Sequence, residues 1–240
     1  MGIPVSIDIP EAVESSIIED AFERLRQIDA KFSTYKPASE LSKYQRGELH
    51  ASGLSKEMRE VQGACDKYKS LTDGYFSATF SGPFDPTGYV KGWAIHEAGK
   101  LLRAAGVSSY LINAAGDIEA TSDGVKTWNI ALQNPFSQQK TLGIISLTNG
   151  AVATSGTYER GQHIINPLQQ QPATSLVSAT VYGADIITAD VFATACIAMG
   201  AERALDFMST QEGYEALLID PAGKLQQTQG CMFASTQTAQ

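Results

Sequence analysis

The chain has 240 residues, 43% of them apolar and 18% charged, with a formal net charge of −8. That composition describes a globular protein with room for one large core or two intimately packed lobes. The acidic balance argues against a nonspecific nucleic-acid binder, which needs a positive surface to displace counterions, and no apolar run is long enough to span a membrane. The three cysteines, Cys65, Cys196 and Cys231, are far apart and form no CxxC pair, so neither a zinc site nor a disulfide framework is indicated.

In chain order, residues 3–9 alternate like a strand, with none of the marks of a secretion signal. Residues 12–30 carry Val13, Ile17, Ala21, Leu25 and Ile28 at helical spacing. Pro37 interrupts the next stretch, where Ser39, Glu40 and Ser42 suit a short capped turn, and Tyr35 is either a half-buried tyrosine or a ring offered to a planar ligand. A second helix is predicted over 54–71, with Leu54, Met58, Val61, Cys65, Tyr68 and Leu71 as its inner stripe. The turn Thr72-Asp73-Gly74 then leads into an aromatic-rich strand over 75–80.

The stretch from Gly82 to Asp117 organises the rest. A Gly/Pro-rich loop with Asp85 runs into Lys91-Gly92, an amphipathic helix, an apolar strand and the glycine-aspartate turn Gly116-Asp117. Two such loops at one end of a sheet could enclose a polar ligand, since glycine permits close backbone approach. Strands are read at 128–132 and 142–147, and Asn149-Gly150 is the strongest local hairpin signal. A further strand follows over 175–182, then a buried helix over 189–199, a helical continuation over 202–209, a final strand over 214–219 and a frayed tail. Unpaired helices among scattered strands indicate an α+β fold rather than a regular βαβ series.

Asp190 and Thr194 are the sharpest chemical signal. At i and i+4 they share a helix face. Two uses fit: a helix cap with a satisfied core threonine, or oxygen ligands for a hard cation such as Mg²⁺, completed by carbonyls, waters or phosphates. Thr154-Ser155-Gly156-Thr157 reads as either a polar turn or a phosphate contact. His163 and His96 read as structural and helix-surface residues, and neither a GxGxxG nor a GxxxxGK[ST] motif is present.

Eight segments in order, MGIPVSI, FSTYKPASELSK, TDGYF, FDPTGYVKGWA, INAAGDI, AVATSGTYER, HIINP and TADVFATA, resemble the ApbE family of flavin transferases. The resemblance runs from Met1 to about Asp220. It implies an α+β, ApbE-like (T-fold-related) domain of mixed sheets packed with helices, one domain over 1–240 with its ligand cleft between two lobes. It further implies Mg²⁺-dependent transfer of FMN from FAD to a threonine of an acceptor flavoprotein, with release of AMP. The alternative is a FAD-binding protein or a FAD pyrophosphatase.

Carried over by position, Met1 and Tyr35 would line a ring of FAD, and Tyr75, Phe76 and Ser77 would present backbone and side chains to the dinucleotide. Asp85 would hydrogen-bond it and Lys91 would lie beside it. The carbonyl of Gly88 with Asp190 and Thr194 would hold the magnesium, and Asp190, Thr194 and Lys91 would be the catalytic set. Ala193 and Ile164 would complete the FAD wall, with Thr154, Ser155, Gly156 and His163 also on the cofactor side, and Asp117 would be structural or face the phosphates.

Three departures stand out. The usual GGD is Ala115-Gly116-Asp117 here, which accommodates the methyl only if that position needs no positive φ. The usual HIIDP followed by a base, Thr and Gly is His163-Ile164-Ile165-Asn166-Pro167-Leu168-Gln169-Gln170, and Thr157 replaces a common aspartate. As given, the chain would work in the cytoplasm; with a leader removed, it would work in the periplasm or anchored to a membrane.

Overall fold

The computed structural model describes residues 2–156 and 164–235. Met1, Thr157 and His163 lie outside them.

Periodic apolar spacing builds a helical layer. α1 (Ser15–Phe32) buries Ala21, Leu25, Ile28 and Phe32. α2 (Glu40–Gln45) is the short element expected after Pro37, its N-cap Ser39 accepting from the Ser42 amide at 3.0 Å. α3 (Lys56–Leu71) buries Met58, Val61 and Cys65. Leu71, expected on that stripe, is 43% exposed because it ends the helix, past the packed face. α4 (Thr87–Ala104), α5 (Ile186–Met199) and α6 (Ala201–Ser209) complete the layer. α5 is buried almost all round and lies between α4 and the main sheet.

The strands are β1 (Val5–Asp8), β2 (Tyr110–Ala114), β3 (Asp117–Thr121), β4 (Trp128–Asn134), β5 (Ser137–Leu147), β6 (Gly150–Gly156), β7 (Ile165–Asn166), β8 (Gln171–Pro172), β9 (Ser178–Gly183), β10 (Tyr214–Ile219), β11 (Leu225–Gln227) and β12 (Ala234–Ser235). Among the described residues they form a seven-stranded sheet in the order β1-β2-β3-β6-β9-β10-β11, a three-stranded sheet β12-β5-β4, and the pair β7-β8. All pairings in the large sheet are antiparallel.

The two-residue period of a strand decides what each face of the large sheet meets. Ala151, Ala153, Val181, Ala216 and Leu218 face the helices. Their neighbours Val152, Tyr182 and Leu217, with Ile118 and Ala120, face the small sheet, where they pack on Trp128, Ile130, Leu132 and Ile145. The result is three layers: helices, large sheet, small sheet.

Three local expectations give way to this arrangement. Residues 75–80 are not a strand but a chain of turns, with the Phe76 amide donating to Thr72 Oγ1 at 3.0 Å and the Asp85 amide to the Ala78 carbonyl at 2.6 Å. Burial of Phe76 and Ala78 in the helical core outweighs the β-propensity of the segment. Asn149-Gly150 makes no hairpin: β5 and β6 belong to different sheets, and Asn149 Oδ1 accepts from Thr121 Oγ1 and the Ser122 amide at 2.8 and 2.9 Å, fixing the crossover. β10 is not the final strand, for the predicted turn at Asp220 leads into β11.

Two small-residue positions carry opposite constraints. The β2–β3 hairpin turns on Ala115-Gly116, with Ala114 opposite Asp117 and φ of 51° and 96°. Both values are positive, as a type I′ turn requires, so the alanine that replaces the family's glycine does sit in the left-handed region. Gly92 is instead a matter of space: a Cβ there would stand 2.9 Å from the Ile186 carbonyl oxygen and 3.1 Å from Ile187 Cα, at the crossing of α4 and α5. A115G should therefore stabilise the protein by about 0.5–1 kcal/mol, the released left-handed strain less the added chain entropy, read as a higher urea midpoint. G92A should destabilise it by roughly 1–3 kcal/mol through overpacking in the same measurement.

Candidate functional site

Two cavities meet at the end of the large sheet. The smaller, of about 180 Å³, lies between the helices and the loops at 75–88 and 164–167. The larger, of about 530 Å³, lies on the small-sheet side and reaches the β2–β3 turn. Lys91 and Ser155 line both. The alternation along β6 sends successive side chains to opposite sides. Ser155 points to the helical side, with its Oγ 3.1 Å from Thr194 Oγ1. Its neighbour Thr154 points to the other side, with its Oγ1 2.9 Å from Thr180 Oγ1.

α4 begins at the smaller cavity. Asp85 Oδ1 accepts from the Thr87 amide at 3.0 Å, an Asx turn just before the N-cap Pro86, and Thr87 and Gly88 present the electropositive end of the helix to the cavity. α5 is capped by Asp185, whose Oδ1 accepts from the Thr188 amide at 2.9 Å. Asp190 is therefore not a cap, because the helix starts at Ile186 rather than at residue 189. It lies inside the helix, 3% exposed, and its Oδ2 accepts from the Gly92 amide at 3.0 Å. In a regular helix that amide would serve the Gly88 carbonyl. The hydroxyl of Thr194 is within 3.9 Å of the Cβ position of Gly88. Gly88 of α4 and Asp190 and Thr194 of α5 thus line the same cavity.

Lys91 Nζ lies 2.5 Å from Asp117 Oδ2, and Asp117 Oδ1 accepts from the Thr154 amide at 3.1 Å. Asp117 is wholly buried, so its charge requires this partner. Burial drives the Asp190 carboxyl above its ordinary range. Lys91 and the Gly92 amide pull it down, and the neighbouring Asp117 carboxylate pushes it further up.

The smaller cavity brings together Tyr75, Phe76, Ser77, Asp85, Gly88 and Lys91 from one side with Ser155, Ile164, Asp190 and Thr194 from the other. Thr154 and Gly156 line the larger one, and Asp117 stands behind Lys91. Besides Asp117, two expected residues lie outside both linings. Tyr35 is 88% exposed, and Ala193 is fully buried in α5. Met1 and His163 fall outside the described residues. His96 is not a bare helix-surface residue: its Nδ1 lies 3.6 Å from Glu119 Oε2, in a buried network with Arg103 and Tyr110. Asn113, Gln133 and Thr180 line the larger cavity unanticipated. Only strand pairing, such as Thr154 opposite Thr180, brings them there, and no local motif marks them.

The chain matches the model of the ApbE family over residues 1–85 and 81–218. It belongs to the ApbE family. Two relatives described as FAD:protein FMN transferases are 34% identical over 128 residues in Vibrio cholerae and 29% identical over 162 residues in Treponema pallidum. These matches cover 48% and 58% of this chain but only 38% and 44% of the relatives' own lengths. Among solved structures, the ApbE protein of Thermotoga maritima superposes with a TM-score of 0.83 at 21% identity, covering 95% of this chain and 94% of that one. The flavin transferase ApbE of Vibrio cholerae gives 0.78 at 22%, covering 98% and 94%. At those identities the superpositions establish a common fold.

The ApbE fold buries Asp190 at a cost that depends on pH. A folded-state pKa above the ordinary carboxyl value means that the native state holds more protons than the unfolded one between the two values, so stability falls as pH rises through that window. In the protein freed of divalent cations, D190N removes this titration and keeps an oxygen acceptor for Gly92. Its urea midpoint should exceed wild type at pH 7.5, and the gap should shrink at pH 4.5.

Proposed function

We propose that this chain transfers FMN from FAD to a threonine hydroxyl of an acceptor protein, releases AMP and uses a magnesium ion. The observation that carries the reading is that Gly88, Asp190 and Thr194, which can offer a carbonyl, a carboxylate and a hydroxyl oxygen, line a cavity that shares Lys91 and Ser155 with a second one. A dinucleotide has this shape: two ring systems joined by a diphosphate.

The residues fit a magnesium ion. Among the described residues no group of three or more His, Cys, Asp or Glu forms a metal cluster. The candidate set instead offers three hard oxygens, of which one is a carboxylate, and magnesium takes its remaining positions from phosphates and water. When bound, the ion would offset diphosphate charge and polarise the phosphorus under attack.

The chain's own groups account for the rest. The N-terminal end of α4 and Lys91 supply positive potential. Ser155 holds the Thr194 hydroxyl in place. Attack of the threonine oxygen on the FMN-side phosphorus forms one P–O bond and breaks the bond to AMP, which leaves with the bridging oxygen, while the hydroxyl proton passes to a base or to solvent. Such a transfer needs alignment and charge stabilisation more than covalent help from the enzyme.

The test follows AMP release and FMN fluorescence on an acceptor protein, with and without Mg²⁺. Wild type should show both products only with the metal. D190A and T194A should lose turnover, D190A by a hundredfold or more on the order of the several kcal/mol such a metal supplies. AMP without labelled acceptor would instead assign a FAD pyrophosphatase, and binding without AMP a flavin carrier.

A further inference from the structure

The turn that follows Ile164 walls the smaller cavity, with Ile164, Ile165 and Pro167 facing the side that holds Asp190 and Thr194. Asn166 lies between these residues yet is not in that wall. It is 7% exposed, and each end of its side-chain amide is occupied. Oδ1 accepts from the amides of Leu168 and Gln169 at 2.9 and 3.1 Å. Nδ2 donates to the carbonyl of Ala198 at 2.9 Å. The Gln170 amide closes the turn on the Asn166 carbonyl at 2.8 Å.

Ala198 belongs to the last turn of α5, where carbonyls have no partner within the helix. It stands four residues beyond Thr194 and eight beyond Asp190, on the same helical face. The amide therefore ties the cavity wall to the helix that carries the oxygen pair. An ionised carboxyl at this position would serve the turn but offer no proton to Ala198. It would also set a negative charge at the negative end of the helix dipole.

We infer that Asn166 is a positioning residue that holds the wall of Ile164, Ile165 and Pro167 in register with Asp190 and Thr194, and so sets the affinity for the part of FAD lying against that wall. The identity of the ligand rests on the flavin reading above; the fastening does not.

The test is FAD titration of wild type, N166D and N166A at pH 8 and pH 5.5, with amide hydrogen exchange of residues 164–172 followed in parallel. At pH 8, N166D should bind about tenfold more weakly than wild type, because a buried acceptor loses its donor. At pH 5.5 it should recover towards wild type, since a protonated carboxyl can donate to Ala198. N166A has no group that can do so and should stay weak at both. That recovery separates a positioning role from general destabilisation. Equal affinity of wild type and folded N166D at pH 8, or a loss with no recovery at pH 5.5, overturns the inference. Should N166D not fold, N166S keeps an acceptor for the turn without the amide and should show the weakened binding; wild-type affinity in it overturns the inference. If wild type itself takes up no FAD, the flavin reading falls. The fastening is then judged on exchange alone, where wild-type protection of residues 164–172 in N166D would refute it.

Discussion

Where α4 crosses α5, backbone meets backbone. A side chain at Gly92 would collide with the Ile186 carbonyl, Ile187 and the Cβ of Asp190, and because none is there the Gly92 amide reaches the Asp190 carboxylate at 3.0 Å. One contact thereby sets the separation of the two helices and the direction of the buried acid. Thr194 follows one turn further along α5, and Gly88 one turn earlier along α4. Gly88, Asp190 and Thr194 line one cavity, and the helices that carry them cannot be moved apart without breaking that hydrogen bond.

The sheet supplies a second, independent constraint. Its alternation sends Thr154 to one side and Ser155 to the other, and it sends Asp117 and Glu119 to the helices while Ile118 and Ala120 join the small sheet. Asp117 and Glu119 each meet a cation from α4, Lys91 and Arg103 respectively. Buried charges cost little only when paired, so the two ion pairs lock α4 in register with β3. Lys91 is thereby held at the junction of the two cavities.

To act on an anionic dinucleotide, as proposed above, an acidic chain has to concentrate positive potential locally. Here it comes from one lysine, a helix N-terminus and the amides around it, against two buried carboxyl groups, Asp117 and Asp190. Burial keeps the Asp190 carboxyl from ionising readily. In the proposed magnesium site, a cation at its oxygen would remove that penalty.

The sequence by itself determined the helices α1 and α3, the helical stretches over 189–199 and 202–209, the strand β10, and the family, because helical spacing and short ordered motifs are local properties that need no knowledge of partners. The pairing of Asp190 with Thr194 was legible for the same reason. Only the tertiary structure decided that Asp190 is buried under Gly92, since that contact comes from the crossing of α4 and α5 and joins residues 98 positions apart, whereas the cap at Asp185 is a local bond to Thr188. It also decided that Asn149-Gly150 joins two sheets, that Ala115 bears a positive φ, and that Thr180 stands opposite Thr154. Turn propensity cannot tell a hairpin from a crossover, and register is set by which face of a strand is buried. The fastening of Asn166 to Ala198 is of the same kind: a motif shows that the residue differs, and only the folded chain shows the carbonyl it reaches.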